Sequence, residues 1–211
     1  MHPLDGMDPE AVRATIAELR GLEPEPWTEA WGALSDRCAA AAEQAGSVAD
    51  RREALVQAYR AAFMGRYPTP NHPLKERMYD RARELFIAAA QLEDPPLEVV
   101  TVPFDGRPGE GDHVTFYVTR PAHATARPPV VMVWAGIDTW KEEMHGRRGA
   151  FLRAGGYAVL LVDMPGVGES PVRAGTDAER QWTPIFDWPA ATTSTPTAAR
   201  WPAGPSAATG R

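Results

Sequence analysis

The chain has 211 residues, enough for one large domain or two small ones. Its 22 Lys and Arg against 28 Asp and Glu give a net charge of −6, which argues against a nucleic-acid partner because such a partner needs clustered cations. One cysteine excludes an internal disulfide, and the five histidines lack the mutual spacing of a metal site. The sequence opens without a signal-peptide pattern and has no apolar run near the ~20 residues of a membrane span, so we expect a cytoplasmic protein without membrane contact.

The first part of the chain carries helical patterns. The DPE stretch at residues 8–10 combines an N-cap residue, a proline suited to the first helical position and an acid in the first turn. A second helix is predicted over 28–42, and a third from Asp50, which forms a capping-box-like pair with Glu53. Pro73 opens a fourth, with apolar residues at helical spacing. Residues 1–92 are therefore predicted to form a helical, cap-like domain.

The pattern changes after residue 93, where runs rich in Val, Thr and aromatic residues predict strands. Four strands are expected: LEVVTVPF (97–104), HVTFYVTR (113–120), VVMVWAG (130–136) and YAVLLVDM (157–164). The last two are continuous apolar runs, typical of strands buried on both faces. A helix over KEEMHGRRGAFLRAGG (141–156) separates them, and DAERQWTPIFDW (177–188) ends the recognisable pattern. This order predicts an α/β fold, with the first half of a sheet over residues 93–188.

The C-terminal stretch has a different composition. From Pro189 to Arg211 there is no Leu, Ile, Val, Phe, Met or acidic residue. Such a segment has little to bury in a core, so residues 189–211 are predicted to form a disordered tail.

Two loops that follow the buried strands are candidates for chemistry. GIDTW (136–140) follows the third strand and DMPGVGES (163–170) follows the fourth. In open α/β sheets, ligands bind beyond the carboxyl ends of the strands, so both loops are placed to face a site. A nucleotide-binding protein is one alternative, but the sequence has no G-x-x-x-x-G-K-[ST] phosphate loop.

These two loops resemble those of the α/β-hydrolase superfamily, in particular the branch of FrsA-like esterases and 2,6-dihydroxypseudooxynicotine hydrolases. The resemblance covers roughly residues 15–188 and includes a helical N-terminal domain. It implies serine-dependent hydrolysis of an ester or a carbon–carbon bond in a small-molecule substrate, without a cofactor or a metal. Members of this branch often form dimers, so a homodimer is one state to test.

The resemblance also implies roles for individual residues. Backbone N–H groups at Gly136 and Ile137 would hold an oxyanion, although Gly136 could equally be required for a tight turn. The residues that would shape the site are Asp138, Thr139, Trp140, Asp163, Pro165, Gly166, Gly168 and Ser170. Ser170 lacks the G-x-S-x-G elbow of a nucleophile, and His145 is expected to be a solvated or helix-capping histidine. No catalytic serine, acid or histidine base is therefore identified in this chain.

A shifted reading frame would account for the tail. Regrouping the codons of residues 201–211 by one base permits V-A-G-R-S-F-G-G-Y-W-A, which contains a nucleophile elbow. We therefore interpret the chain as an inactive, truncated product of a hydrolase gene with a frameshift near Trp188. The alternative is a non-catalytic binding or interaction module. In that case the tail at residues 189–211 would need a function of its own.

Overall fold

A computed structural model describes residues 4–123 and 128–192 of the chain. The first half is helical, and no helix within the described ranges is both long and apolar enough to cross a membrane. The four long helices are α1 (Pro9–Glu18), α2 (Pro24–Glu43), α3 (Val48–Arg66) and α4 (Pro73–Ala90).

The helix starts follow local sequence signals. Asp8 caps α1, because its carboxylate accepts a hydrogen bond from the Glu10 N–H at 2.9 Å. Pro73 is the first residue of α4, as predicted. The predicted start of α3 at Asp50 is wrong by a few residues, since Ser47 is the N-cap and its hydroxyl accepts from the Asp50 N–H at 3.1 Å. Ser47 therefore takes the capping role that the sequence pattern assigned to Asp50.

A four-stranded mixed sheet follows the helices. Its strands are β1 (Glu98–Pro103), β2 (His113–Thr119), β3 (Val130–Val133) and β4 (Ala158–Leu161), in the spatial order β1-β2-β4-β3. β1 and β2 form an antiparallel hairpin, β2 pairs antiparallel with β4, and β4 pairs parallel with β3. The β3–β4 crossover contains α5 (Lys141–Met144), a π-helical turn (His145–Gly149) and α6 (Ala150–Ala154). The predicted α/β class is confirmed.

The two faces of the sheet bury alternate residues of the same strands, as the period of two in a β-strand requires. Tyr117, Val159 and Leu161 lie in one apolar cluster with residues of α3 and α4. Phe116 and Leu160 lie in a second cluster on the opposite face, together with residues near the end of the described chain. The first of these clusters therefore contains residues of both the helical region and the sheet.

The two strands that were predicted to be fully buried differ in burial, because they occupy different positions in the sheet. All four residues of β4, which lies between β2 and β3, are buried. In β3 only Val130 is buried, and Trp134 just after the strand is 42% exposed. The prediction of burial on both faces is wrong for β3, because β3 has no second neighbouring strand among residues 4–123 and 128–192.

The described chain ends in a helix. A 3₁₀ helix (Ala178–Trp182) leads into α7 (Thr183–Thr192), and the Trp188 ring packs edge-on against Phe116 with centroids 5.4 Å apart. α7 thus continues past Pro189, where the sequence predicted that regular structure ends. The remainder of the predicted tail, residues 193–211, lies outside the described residues.

Candidate functional site

The loop at 136–140 leaves the carboxyl end of β3 and is open to solvent. Ile137 is 72% exposed, whereas Trp140 at the other end of the loop is buried. The Trp140 indole N–H donates to the Ile137 carbonyl at 3.0 Å, which ties the exposed part of the loop to its buried anchor. Within the described ranges, the backbone N–H groups of Gly136, Ile137 and Asp138 have no hydrogen-bond partner, so they remain available to a ligand.

The predicted turn-based reason for glycine at position 136 finds no steric support. Gly136 is not among the described glycines with positive φ, and a Cβ at this position would lie 3.4 Å from the nearest atom, Asp138 Oδ1. That distance is close to an ordinary van der Waals contact. The alternative interpretation, that a small residue gives access to the exposed N–H groups, stays a prediction.

The loop at 163–170 leaves the carboxyl end of β4 and is built on two glycines with left-handed backbone. Gly166 has φ of +85° and Gly168 has φ of +56°, a region that side chains disfavour. The Ser170 hydroxyl accepts from the N–H groups of Gly166 and Val172, both at 3.2 Å. Its oxygen also lies 2.6 Å from Gln181 Oε1 and 2.7 Å from the Val172 carbonyl, the two acceptors for its single proton. Ser170 is thus fully engaged in fixing the turn.

Lys141 and Asp163 bring the two loops together. The Lys141 ammonium lies 2.6 Å from Asp163 Oδ2, and the Lys141 backbone N–H donates to Asp163 Oδ1 at 3.0 Å. Both side chains are almost completely removed from solvent, with 0% and 3% exposed. The same ammonium lies 2.8 Å from Glu169 Oε2 and 3.3 Å from Glu142 Oε1. One buried cation at the start of α5 therefore holds two carboxylates of the loop at 163–170 and the carboxylate of Glu142 in α5, and we call these four residues the Lys141 cluster.

Burial and charge act against each other in the Lys141 cluster. Burial alone would lower the pKa of Lys141, but the carboxylates of Asp163 and Glu142 outweigh it and hold that pKa well above its usual value. Burial also raises the pKa of Glu142, whose Oε1 accepts a hydrogen bond from the Tyr117 hydroxyl at 2.9 Å. The ammonium is thus charged at neutral pH, and the cluster depends on that charge.

The helical region reaches both loops through two arginines. Arg83 of α4 forms an ion pair with Glu169, which extends the Lys141 cluster into the helices. Arg66 at the end of α3 is fully buried, with its guanidinium carbon 3.9 Å from the centroid of the Trp140 ring and 3.8 Å from that of Phe63. Loop positions are therefore set by the helices as well as by the sheet.

The expectation of a solvated or capping histidine is wrong for His145. Its side chain is 7% exposed, its Nε2 lies 3.0 Å from Glu93 Oε2, and its ring packs edge-on against Phe86. Arg52 and Arg153 also contact Glu93. His145 is buried because the end of α4 lies beside the π-helical turn that contains it. The sequence of one helix gives no signal for such a contact between distant segments.

The Glu93 carboxylate is expected to make the free energy of unfolding depend on pH. Burial alone would raise the pKa of Glu93, but hydrogen bonds and charges from His145 and Arg52 lower it to about 2. Because the folded-state pKa lies below the unfolded value, this contribution is present at neutral pH and is lost as pH falls from about 5 towards 2. After allowance for solvent screening it amounts to about 2 kcal/mol.

Denaturant titrations between pH 7 and pH 3 check this contribution. In Glu93→Gln the free energy of unfolding should fall less steeply with acid than in the unmodified chain. Glu98→Gln is the control, because it removes a more exposed ion pair with Arg120 and should preserve the slope. Identical slopes in Glu93→Gln and the unmodified chain would contradict the assignment.

The described residues do not contain an assembled nucleophile and base. No hydrogen bond joins a serine to a histidine in the ranges 4–123 and 128–192. The same part of the chain has no group of three or more His, Cys, Asp or Glu that could hold a metal ion. What the two loops present is a set of open backbone donors held by a buried charge cluster.

Sequence reasoning placed the loops but missed the side chains that hold them. Asp163, Gly166 and Gly168 lie in the turn as expected, whereas Lys141 was not considered. The available signal was a lysine that directly follows an apolar strand and loop and opens the helix predicted over 141–156.

Comparisons with known proteins agree with this architecture. No family model matches the chain. Hydrolase ORFZ of Pyricularia oryzae is 30% identical over 176 residues, which are 77% of this chain and 40% of the relative. The α/β hydrolase pydG of an Acremonium species is 27% identical over 173 residues, which are 77% of this chain and 39% of the relative. The chain thus spans less than half the length of these relatives.

A solved structure shares the fold. The crystal structure of 2,6-dihydroxy-pseudo-oxynicotine hydrolase superposes with a TM-score of 0.70 at 24% identity, covering 88% of this chain and 51% of that one. The shared fold and the sequence similarity to named hydrolases agree. The chain is therefore a relative of the α/β-hydrolase superfamily.

Proposed function

We propose that the chain supplies the helical cap and the oxyanion-binding loop of a serine-dependent hydrolase that cleaves an ester or a carbon–carbon bond in a small molecule. The observation that carries the proposal is the pair of open backbone N–H groups at Ile137 and Asp138, at the carboxyl end of β3. Backbone donors at such a position stabilise the negative charge of a tetrahedral intermediate. The resemblance assigns Gly136 and Ile137, and the Gly136 N–H also has no hydrogen-bond partner within the described ranges, so the assigned pair is equally open to an oxyanion.

The second part of the proposal is that the 211-residue chain does not hydrolyse substrate by itself. Ser170 is held by Gly166, Val172 and Gln181, and His145 is paired with Glu93. Neither side chain is free to act as nucleophile or base. A donor loop without these groups can bind an oxyanion but cannot start the reaction.

An activity assay tests this. We expect the chain to release no 4-nitrophenol from 4-nitrophenyl butyrate above the buffer rate and to resist labelling by a fluorophosphonate. Ser170→Ala should behave in the same way. Turnover or labelling that disappears in Ser170→Ala would overturn the assignment of Ser170 as a turn residue.

The proposed frameshift has a direct genetic test. Inserting one base near the codon of Trp188 should produce a chain that continues with G-R-S-F-G-G and hydrolyses the ester. Changing the serine of that elbow to alanine should abolish the activity and leave expression unchanged. A stop codon soon after the insertion, or an inactive restored chain, would contradict the frameshift.

A binding module remains the second candidate, and one feature of the fold favours it. The described residues enclose a cavity between α3, α4 and the π-helical turn that requires no catalytic group. A chain that binds a small molecule there without turnover would serve this function.

A further inference from the structure

A cavity of about 610 Å³ lies between α3, the end of α4 and the segment formed by α5 and the π-helical turn. Its volume falls within the range of about 300–1,000 Å³ that small-molecule sites occupy. It lies between the helical region and the crossover helix of the sheet, and such boundaries between structural layers are preferred places for ligands. Neither the proposed catalysis nor the Lys141 cluster requires this space.

The walls of the cavity are mostly apolar and aromatic. Tyr59 and Phe63 of α3 and Phe86 of α4 line it, and all three are less than 10% exposed. The Tyr59 and Phe86 rings pack edge-on with centroids 5.3 Å apart, so their orientations are fixed by contact with each other. Val56 and Met144 complete the apolar lining. Such walls favour a flat, apolar ring.

The lining contains four carboxylates and three arginines, but the carboxylates are engaged with other groups, whereas two of the arginines have no carboxylate partner among the described residues. Of the lining acids, Glu93 pairs with Arg52, Glu143 with Arg66 and Glu142 with Lys141, and Asp5 is engaged as well. Arg60 donates to the Gly6 carbonyl, and Arg148 contacts only the Met144 sulfur, at 4.0 Å. Neither of these two arginines has a carboxylate partner within the described ranges. A ligand with one negative group would supply that partner.

The π-helical turn supplies one of the two cations. Arg148 lies in this turn and lines the cavity, as do His145 and Gly146. Turns of this kind are uncommon and occur frequently at functional sites. The irregularity in the crossover helix therefore coincides with the charged side of the cavity.

We propose that this cavity binds a small aromatic carboxylate, with the ring against the wall formed by Tyr59, Phe63 and Phe86 and the carboxylate at Arg148 and Arg60. The inference goes beyond the proposed hydrolysis, because the lining of the cavity does not include the proposed donors at residues 136–138, although Thr139 of the same loop borders it. It therefore stands whether or not the chain is catalytic.

Calorimetric titration of the full 211-residue chain with phenylacetate and with its neutral analogue phenylacetamide tests the proposal. We expect phenylacetate to bind about fivefold to tenfold more tightly, the gain from one charge-assisted contact. Arg148→Gln should remove this preference while leaving phenylacetamide binding unchanged. Arg77→Gln, on the exposed side of α4, is the matched control and should bind as the unmodified chain does.

A second variant tests the location of the ring. Val56 is half-buried at the cavity wall, so Val56→Phe should fill the space and abolish binding of both compounds. A melting curve confirms that the variant is folded. Equal affinity for acid and amide, binding that survives Val56→Phe, or no binding of either compound would overturn the proposal.

Discussion

Replacing Lys141 by Met is expected to lower the free energy of unfolding by about 3–5 kcal/mol, because it leaves buried carboxylates without their cation. Lys141 is fully buried, and its ammonium is within 3.3 Å of Asp163, Glu142 and Glu169. Met has a similar length and apolar character, so the substitution creates little empty volume. The loss therefore reports the uncompensated charge more than the packing.

Urea denaturation followed by circular dichroism measures the effect. The matched control is Arg81→Met, which removes an ion pair with Asp36 whose side chains are 43% and 74% exposed. That change should cost less than about 1 kcal/mol. A loss as small as that of Arg81→Met would show that the buried cluster contributes little.

The second large effect is expected at Gly168, where Ala should destabilise the fold by about 3 kcal/mol or more. Gly168 has φ of +56°, and a Cβ there would lie 2.2 Å from Asp163 Oδ2. The Asp163 carboxylate cannot move away without losing Lys141 and the Glu169 N–H, which donates to it at 2.9 Å. The clash is therefore added to the backbone penalty.

Gly109→Ala separates the two contributions. Gly109 also has positive φ, +85°, but a Cβ there meets no atom within 4 Å. Its substitution carries only the backbone penalty, about 1–2 kcal/mol. Thermal denaturation of both variants gives the difference. Equal losses would mean that the loop at 163–170 relaxes around the new methyl group and that Asp163 does not fix it.

The loop after β3 is held in place largely by residues outside it. The loop at 136–140, which we propose to bind an oxyanion, makes few backbone contacts of its own, and its end is fixed through Trp140 and Lys141. Trp140 is packed by Arg66 and Tyr79 of the helical region, with the Tyr79 ring 4.5 Å away. A substitution in the helices can therefore alter the loop without touching it, which would link the helical region to catalysis in an intact hydrolase.

The sequence by itself determined the local structure of this protein. Periods of 3.6 and 2 residues located the helices and strands, and Asp8 and Pro73 marked helix starts, because these signals act between near neighbours. The glycines at 166 and 168 and the loop positions after β3 and β4 were also readable, since left-handed turns favour glycine.

Only the tertiary structure decided which charged residues are buried together. Lys141 and Asp163 are 22 residues apart, Glu93 and His145 are 52 apart, and Arg83 and Glu169 are 86 apart. No local period links such positions, and a charged residue in a sequence is exposed far more often than buried. The same reason explains β3, whose apolar sequence indicated burial on both faces. Its exposure depends on its place at the end of the β1-β2-β4-β3 order, which is a property of the whole sheet.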